Sequence, residues 1–220
     1  MPSGRRCRRP PRPTGLVKLT VSTTYGGTTA VSTPTTEKPR HHHGNLRAAL
    51  VAAGIEMLEE GESFSLRAVA RRVGVSQAAP YRHFGSKQDI EAAMAEHGFR
   101  ELQAALRAVI DATEAGEVPL VDLALVYIHF AEDHPALYAL MFGSELADDE
   151  ARREACAQVF ALIEEVTAKI HPDRDAHGMA TAGWALAHGM ATLHLEGTLG
   201  RNDDDFDDRV RAAFAAVAAD

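Results

Sequence analysis

Between residues 65 and 90 the chain reads SLRAVARRVGVSQAAPYRHFGSKQDI, and its helix starts and stops leave little freedom in how it folds. Leu66, Val69, Ala70 and Val73 fall at i, i+3, i+4 and i+7, so one face of a helix is apolar while Arg67, Arg71 and Arg72 lie on the others. Gly74 supplies a residue able to leave that helix with positive φ, Val75 fills the corner, and Ser76 caps a second helix with its hydroxyl. A helix, a tight turn and another helix are therefore specified by side-chain chemistry as well as by spacing. The hydrophobic pattern alone would serve equally for an αα-hairpin inside a bundle.

The second helix is expected over residues 77–84, with small residues on the face it presents. Gln77 suits the bidentate edge of an adenine, Ala78 and Ala79 suit thymine methyls, and Tyr81, Arg82 and His83 reach phosphates or bases. Pro80 stands against a regular helix, because it cannot donate to the carbonyl of Ser76. The expectation is a recognition helix shortened at its start. Ser86 opens the next helix, with Lys87 near its first turn and Asp89 placed favourably for the helix dipole.

From residue 45 to residue 90 the wording resembles the DNA-binding domain of the TetR family of transcriptional regulators. The resemblance rests on NLRAALVAAGIEMLEEG, on FSLRAVARRVGVS and on the tyrosine, histidine-phenylalanine and serine-lysine pattern of YRHFGSKQDI. It implies that Ser65, Arg67, Ser76, Gln77, Tyr81, His83 and Lys87 lie at the DNA, joined by Ala78 and Arg82, and that Phe84 anchors the recognition helix in the core. In one subgroup of the family a histidine-rich segment leads into the first helix. By that resemblance Arg40 and His43, within Arg40-His41-His42-His43-Gly44, are DNA-facing. A solvated linker is the plain alternative, and adjacent histidines on one segment lack the convergence that a tetrahedral metal site needs.

The net charge of −8 argues at first against a nucleic-acid partner. Its distribution removes the objection. Residues 1–40 hold eight Lys/Arg against one Asp/Glu (+7), residues 41–90 six against five (+1), and residues 91–220 nine against 25 (−16), which together give −8. An acidic body is repelled by phosphate, so DNA contact falls to the head. No apolar run approaches the roughly 20 residues of a membrane span. Cys7 and Cys156 make neither a disulfide framework nor a zinc motif, and a reducing cytoplasm is the expected setting.

The first forty residues, basic and proline-rich and then rich in Thr and Ser, lack the apolar surface needed to offset ordering entropy. They are expected to be disordered, as a basic arm along DNA or as a leader preceding a true start near Val31, where Gly26-Gly27 would reflect a ribosome-binding sequence upstream of a GTG codon. The expected division is thus 1–40 leader, 41–90 helix-turn-helix domain and 91–220 helical ligand-binding and dimerisation domain.

Beyond residue 90 the pattern predicts helices over about 86–113, with Ile90, Met94, His97 or Gly98, Leu102, Leu106 and Val109 or Ile110 near one stripe, and over 120–133, 135–143, 148–170, 173–197 and 203–219, with Gly116 and Pro119 as punctuation. The fold class is all-α: a three-helix head and an antiparallel helical bundle, about nine helices in total, with no strand candidate.

The segment GWALAHGMATLHLEG resembles a TetR C-terminal subtype marked by tryptophan, histidine and glycine, here Trp184, His188 and Gly189. Its small residues permit close backbone approach. Gly183, Ala187 and Ala191, with Phe206, Val210 and Phe214 of the last helix, are expected at a dimer interface or, alternatively, at close packing within one subunit. Tyr127, Phe130, Tyr138, Met141, Phe142, Phe160, Trp184 and His188 are the candidate lining of an effector pocket, although an aromatic stripe is more often core. His188 and His194 are spaced too awkwardly for one helix face to hold a metal.

No nucleophile with a base, paired carboxylates or ligand cluster suggests an enzyme or a cofactor. The resemblance implies a homodimer that binds a palindromic operator in double-stranded DNA, most often as a repressor, and is released by a small-molecule effector. A rival reading is a helical ligand-binding or dimerisation protein that no longer binds specific DNA; it would predict degraded polar groups on the recognition helix, and these are present.

Overall fold

A computed structural model describes residues 46–113, 120–143, 146, 148–199 and 205–218. They form eight α-helices: α1 (Leu46–Glu59), α2 (Leu66–Val73), α3 (Lys87–Ala112), α4 (Leu120–Asp133), α5 (Pro135–Met141), α6 (Glu150–Ile170), α7 (Ala176–Leu195) and α8 (Phe206–Ala218). A 3₁₀ turn over Pro80–Arg82 lies between α2 and α3. Among the described residues there is no strand. The all-α class therefore holds, with eight α-helices where about nine were expected.

Both ends of α2 are set by the residues the sequence singled out. The Ser65 hydroxyl accepts from the Ala68 amide at 3.1 Å, which satisfies one orphan donor. Gly74 ends the helix at φ 77°, and the amides of Gly74 and Val75 reach back to the carbonyls of Arg71 and Ala70 at 3.2 and 3.0 Å. That is a Schellman closure, and a side chain at Gly74 would be strained in it.

The expected recognition helix over 77–84 is corrected. Only Pro80–Arg82 is helical, and as 3₁₀. The amides of Ala79, Arg82 and His83 bond three residues back, to Ser76, Ala79 and Pro80 at 2.9, 3.2 and 2.9 Å. Pro80 has no N–H to begin the α-helical ladder, so the backbone tightens into successive three-residue turns.

Serine 86 caps α3 as expected, accepting from the Asp89 amide at 3.2 Å, while the Asp89 carboxylate takes the Ser86 hydroxyl at 2.6 Å and the Gly85 amide at 2.8 Å. These bonds hold the Asp89 carboxyl below the usual carboxylate range. The helix that follows spans 26 residues, about 39 Å at 1.5 Å per residue. It packs on α1 near its start and on α4, α5 and α6 beyond, so the 90/91 boundary drawn from sequence falls inside a helix common to both parts. Ile90, Met94, Gly98, Leu102 and Leu106 form its buried stripe. Gly98 belongs to that stripe because a Cβ there would stand 2.5 Å from Met141 Sδ on α5.

Around this spine the remaining helices form the body, α4 against α7 and α8, and α6 against α7. Its core contains Leu123, Ile128, Leu137, Met141, Val159 and Leu162. Arg152 of α6 donates from Nε to the Met141 carbonyl at 2.8 Å, tying the end of α5 to α6.

Candidate nucleic-acid interface and effector pocket

The head turns its candidate DNA-contact side chains to solvent. Ser65, Arg67, Ser76, Gln77, Ala78, Tyr81, Arg82, His83 and Lys87 are all exposed, whereas Pro80 and Phe84 are buried and anchor the 3₁₀ turn from beneath. Tyr81 is 51% exposed, unusual for so large an apolar ring. The side chains of Gln77, Tyr81 and Arg82 make no hydrogen bond or ion pair with other described residues, so their polar groups face solvent. Lys87 is partly committed, its Nζ 2.9 Å from Glu91 and 5.6 Å from the centre of the Phe64 ring.

Not every outward arginine is available. Arg72 pairs with Glu60 and lies 3.3 Å from Glu62 and 3.9 Å from Glu56. The guanidinium holds the Glu60 carboxyl below its ordinary value. Arg72 thus fastens α2 to the end of α1 and its following turn, and cationic presentation on α2 is left to Arg67 and Arg71. Arg40 and His43 lie outside the described residues.

A second constellation sits in the body. Tyr127 of α4, Tyr138 of α5 and His188 of α7 converge, with His188 Nδ1 2.8 Å from the Tyr127 hydroxyl and 2.7 Å from that of Tyr138, and the hydroxyls 3.2 Å apart. Burial pushes both phenols up, so they stay protonated. Burial also pushes the imidazole down, which favours the neutral ring. Tyr127 donates its proton to the Tyr138 oxygen, and Tyr138 in turn donates to Nδ1, which makes Nδ1 an acceptor. The hydrogen-bond network therefore assigns the ring proton to Nε2.

Two spaces flank Trp184. The inner one, bounded by Leu106, Leu123, Tyr127, Ala187 and Phe214 among others, has only about 30 Å³ open to the centre of a water molecule. The outer cleft, lined by Phe142, Phe160, Thr181, Trp184, Ala185 and His188, has about 330 Å³ by the same measure. Phe160 and Trp184 stack in it at 5.6 Å and 26°.

Of the expected lining residues, Phe142, Phe160, Trp184 and His188 border the outer cleft, and Tyr127 and Trp184 the inner space. Tyr138 stands behind His188 as its hydrogen-bond partner. Two placements are corrected. Met141 is fully buried under α3, and Phe130 is 8% exposed with its ring 5.0 Å from His134, so neither borders either space. The sequence did not single out Leu106, Ile163 or Ala180 on the inner wall; only the helix packing brings them there.

The interface expectation also needs correction. Phe206, Val210, Ala187 and Ala191 are 2%, 0%, 4% and 1% exposed, enclosed within a single subunit. Phe206 stacks on His194 at 3.9 Å. Gly183 and Phe214 border the inner space. The four buried residues join helices of one chain, the alternative that small size also allowed, while Gly183 and Phe214 are only partly buried. The large apolar side chains that α7 and α8 expose are Leu193, Leu195 and Val217. Packing against α4 buries the faces of α7 and α8 that carry those four residues.

Among the described residues, no group of three or more His, Cys, Asp or Glu is arranged to hold a metal, and no helix is long and apolar enough to cross a membrane.

Residues 50–94 match the family model described as bacterial regulatory proteins, tetR family, and residues 120–217 match that of the tetracyclin repressor-like C-terminal domain. The nucleoid occlusion factor SlmA of Vibrio vulnificus is 32% identical over 135 residues, 59% of this chain and 68% of the relative. The chain spans 61–68% of the length of the SlmA proteins it matches. A solved protein of unknown function from Rhodococcus sp. RHA1 is 33% identical, with a TM-score of 0.71, over 81% of this chain and 96% of that one. The TetR-like regulator LfrR of Mycobacterium smegmatis, solved in complex with proflavine, is 18% identical with a TM-score of 0.54, over 79% of this chain and 96% of its own.

Proposed function

Because this chain belongs to the TetR family of bacterial regulatory proteins, we propose that it is a homodimeric, ligand-responsive DNA-binding regulator of the cytoplasm, most simply a repressor. In this reading residues 41–90 are the head and 91–220 the sensing and dimerising body. The observation that carries the proposal is the polar surface from Ser76 to His83, held outward by buried Pro80 and Phe84. In a core-packing hairpin those positions would be turned inward.

Gln77 reads base edges in the major groove, while Ser65, Arg67, Tyr81, Arg82, His83 and Lys87 hold the backbone. Two heads related by a twofold axis meet successive major grooves about 34–36 Å apart, so the operator is a partial palindrome. A ligand in the body releases DNA only by its differential affinity for the state whose heads are wrongly spaced. LfrR offers the precedent of a small molecule bound to this fold.

The test is to map binding of the full-length protein across genomic DNA and to measure affinity for the recovered site by fluorescence anisotropy. Discrete palindromic sites beside promoters, lost in Tyr81→Ala, support the reading. Uniform binding to unrelated duplexes with the same affinity refutes it.

A further inference from the structure

We propose that the outer cleft beside Trp184 takes a flat, uncharged aromatic compound bearing a carbonyl-type acceptor, which lies against Phe160 and Trp184 and accepts a hydrogen bond from His188 Nε2. The assignment rests on the reading of the body as the sensing part, and it names the chemistry that part would sense.

The walls dictate the shape. Rings from Phe142, Phe160, Trp184 and His188 line the cleft with Thr181 and Ala185, and the Phe142 and His188 rings are 4.6 Å apart. Surfaces of this kind reward offset stacking and edge contacts by planar molecules. Room is present without rearrangement, unlike in the inner space on the other side of Trp184.

His188 dictates the polarity. Tyr127 donates to Tyr138 and Tyr138 to Nδ1, which places the ring proton on Nε2 and leaves that N–H without a partner among the described residues. Its dipole presents a positive end to the cleft. A cation would meet that end with no carboxylate in the lining, and the nearby Glu164 lies 3.4 Å from His177, whose ring packs edge-on against Phe160. Aromatic faces attract cations, but here the attraction is opposed by the N–H and by lost hydration. A carboxylate would exchange full hydration for a single donor in an apolar cleft, a poor trade. A neutral acceptor satisfies the N–H at the least desolvation cost.

Trp184 is the single tryptophan of the chain, so its fluorescence reports occupancy directly. The full-length protein, without DNA, is titrated with 9-fluorenone, with fluorene, which has the same outline without the carbonyl, and with N-methylacridinium. The expected result is Trp184 quenching by fluorenone with a Kd about three- to tenfold below that of fluorene, the range of one net hydrogen bond, and weaker binding by the cation. In His188→Phe the two neutral compounds should bind alike. Should that variant not fold, the matched pair on the unaltered protein decides alone. Equal binding of fluorenone and fluorene, tightest binding by the cation, or no quenching by any of them overturns the proposal. So does shielding of Trp184 that follows protein concentration alone, which would assign the cleft to a second copy of the chain. Operator release is read separately by anisotropy: compounds that bind as expected without releasing DNA uphold the ligand assignment and refute the effector reading, and the reverse outcome does the opposite.

Discussion

Replacing Glu59 tests how the head is tied to the body. Helix α5 opens on Pro135, and the preceding residue, His134, gives it no side-chain cap. The amides of Ala136 and Leu137 are orphan donors of that first turn. Glu59, at the C-terminal end of α1, accepts both, Oε2 from Ala136 at 3.2 Å and Oε1 from Leu137 at 2.8 Å. A carboxylate distant in sequence thus does the work of an N-cap and sits favourably at the positive end of the helix. Glu59→Ala leaves two part-buried amides without an acceptor. Cap removal costs about 0.5–2 kcal/mol, and hydrogen bonds to a charged group are worth more than neutral ones. A loss of about 1–2 kcal/mol corresponds to a fall in Tm of roughly 2–8 °C for a chain of this size. Glu59→Gln keeps one oxygen and loses the charge, so about half the loss is expected. Glu60→Ala is the control, since that exposed carboxylate pairs with Arg72 inside the head. Thermal unfolding followed by far-ultraviolet circular dichroism reads all three. A Glu59→Ala shift no larger than that of Glu60→Ala would refute the reasoning.

Gly98→Ala should destabilise by about 1–3 kcal/mol, because the added methyl meets Met141 Sδ at 2.5 Å and Leu137 at 3.2 Å; urea unfolding with an unchanged midpoint would contradict the close approach of α3 and α5. Tyr81→Ala and Arg67→Ala should weaken operator binding across sequences, with Arg67→Ala lowering the salt slope by about one. Arg72→Ala should leave that slope unchanged at constant head structure, since its charge is matched by glutamates; equal slope losses for both arginines would argue otherwise. For pH, His188 has a depressed folded pKa, so the unfolded chain binds more protons there and stability rises with pH through that window. Its contribution is complete above the unfolded value near 6.5 and is lost as pH falls toward the folded value. His188→Phe should flatten this part of the stability profile, and an acid slope below about pH 6.5 that the substitution leaves unaltered would exclude the assignment.

Sequence by itself determined the elements that depend on neighbours along the chain. Ser65, Gly74 and Ser86 set helix ends through bonds spanning a few residues, and Pro135 starts α5 through its fixed φ and missing N–H, so those boundaries were legible. So was the α3 stripe from Ile90 to Leu106, because a 3.6-residue period survives any packing partner. The exposed polar surface of the head was legible for the same local reason. Pro80 shortens the segment beyond its start: the turns close three residues back at Ala79, Arg82 and His83, and a four-residue bond returns only from Phe84 to Pro80.

Tertiary structure alone decided which face of each helix turned inward and which distant groups met. A small-residue stripe permits close approach equally to a neighbouring helix or to a second subunit. Packing by α4 and α8 settled that Ala187, Ala191, Phe206 and Val210 belong to one chain. Arg72 looked like a free cation until α1 and the turn after it laid three glutamates beside it, and Glu59 had no visible role until α5 brought its amides within reach. His188 shows the division most sharply. Its presence near Trp184 was legible, but its tautomer depends on hydroxyls 61 and 50 residues away. Hydrogen-bond direction is fixed by three-dimensional proximity, which helical periodicity does not encode.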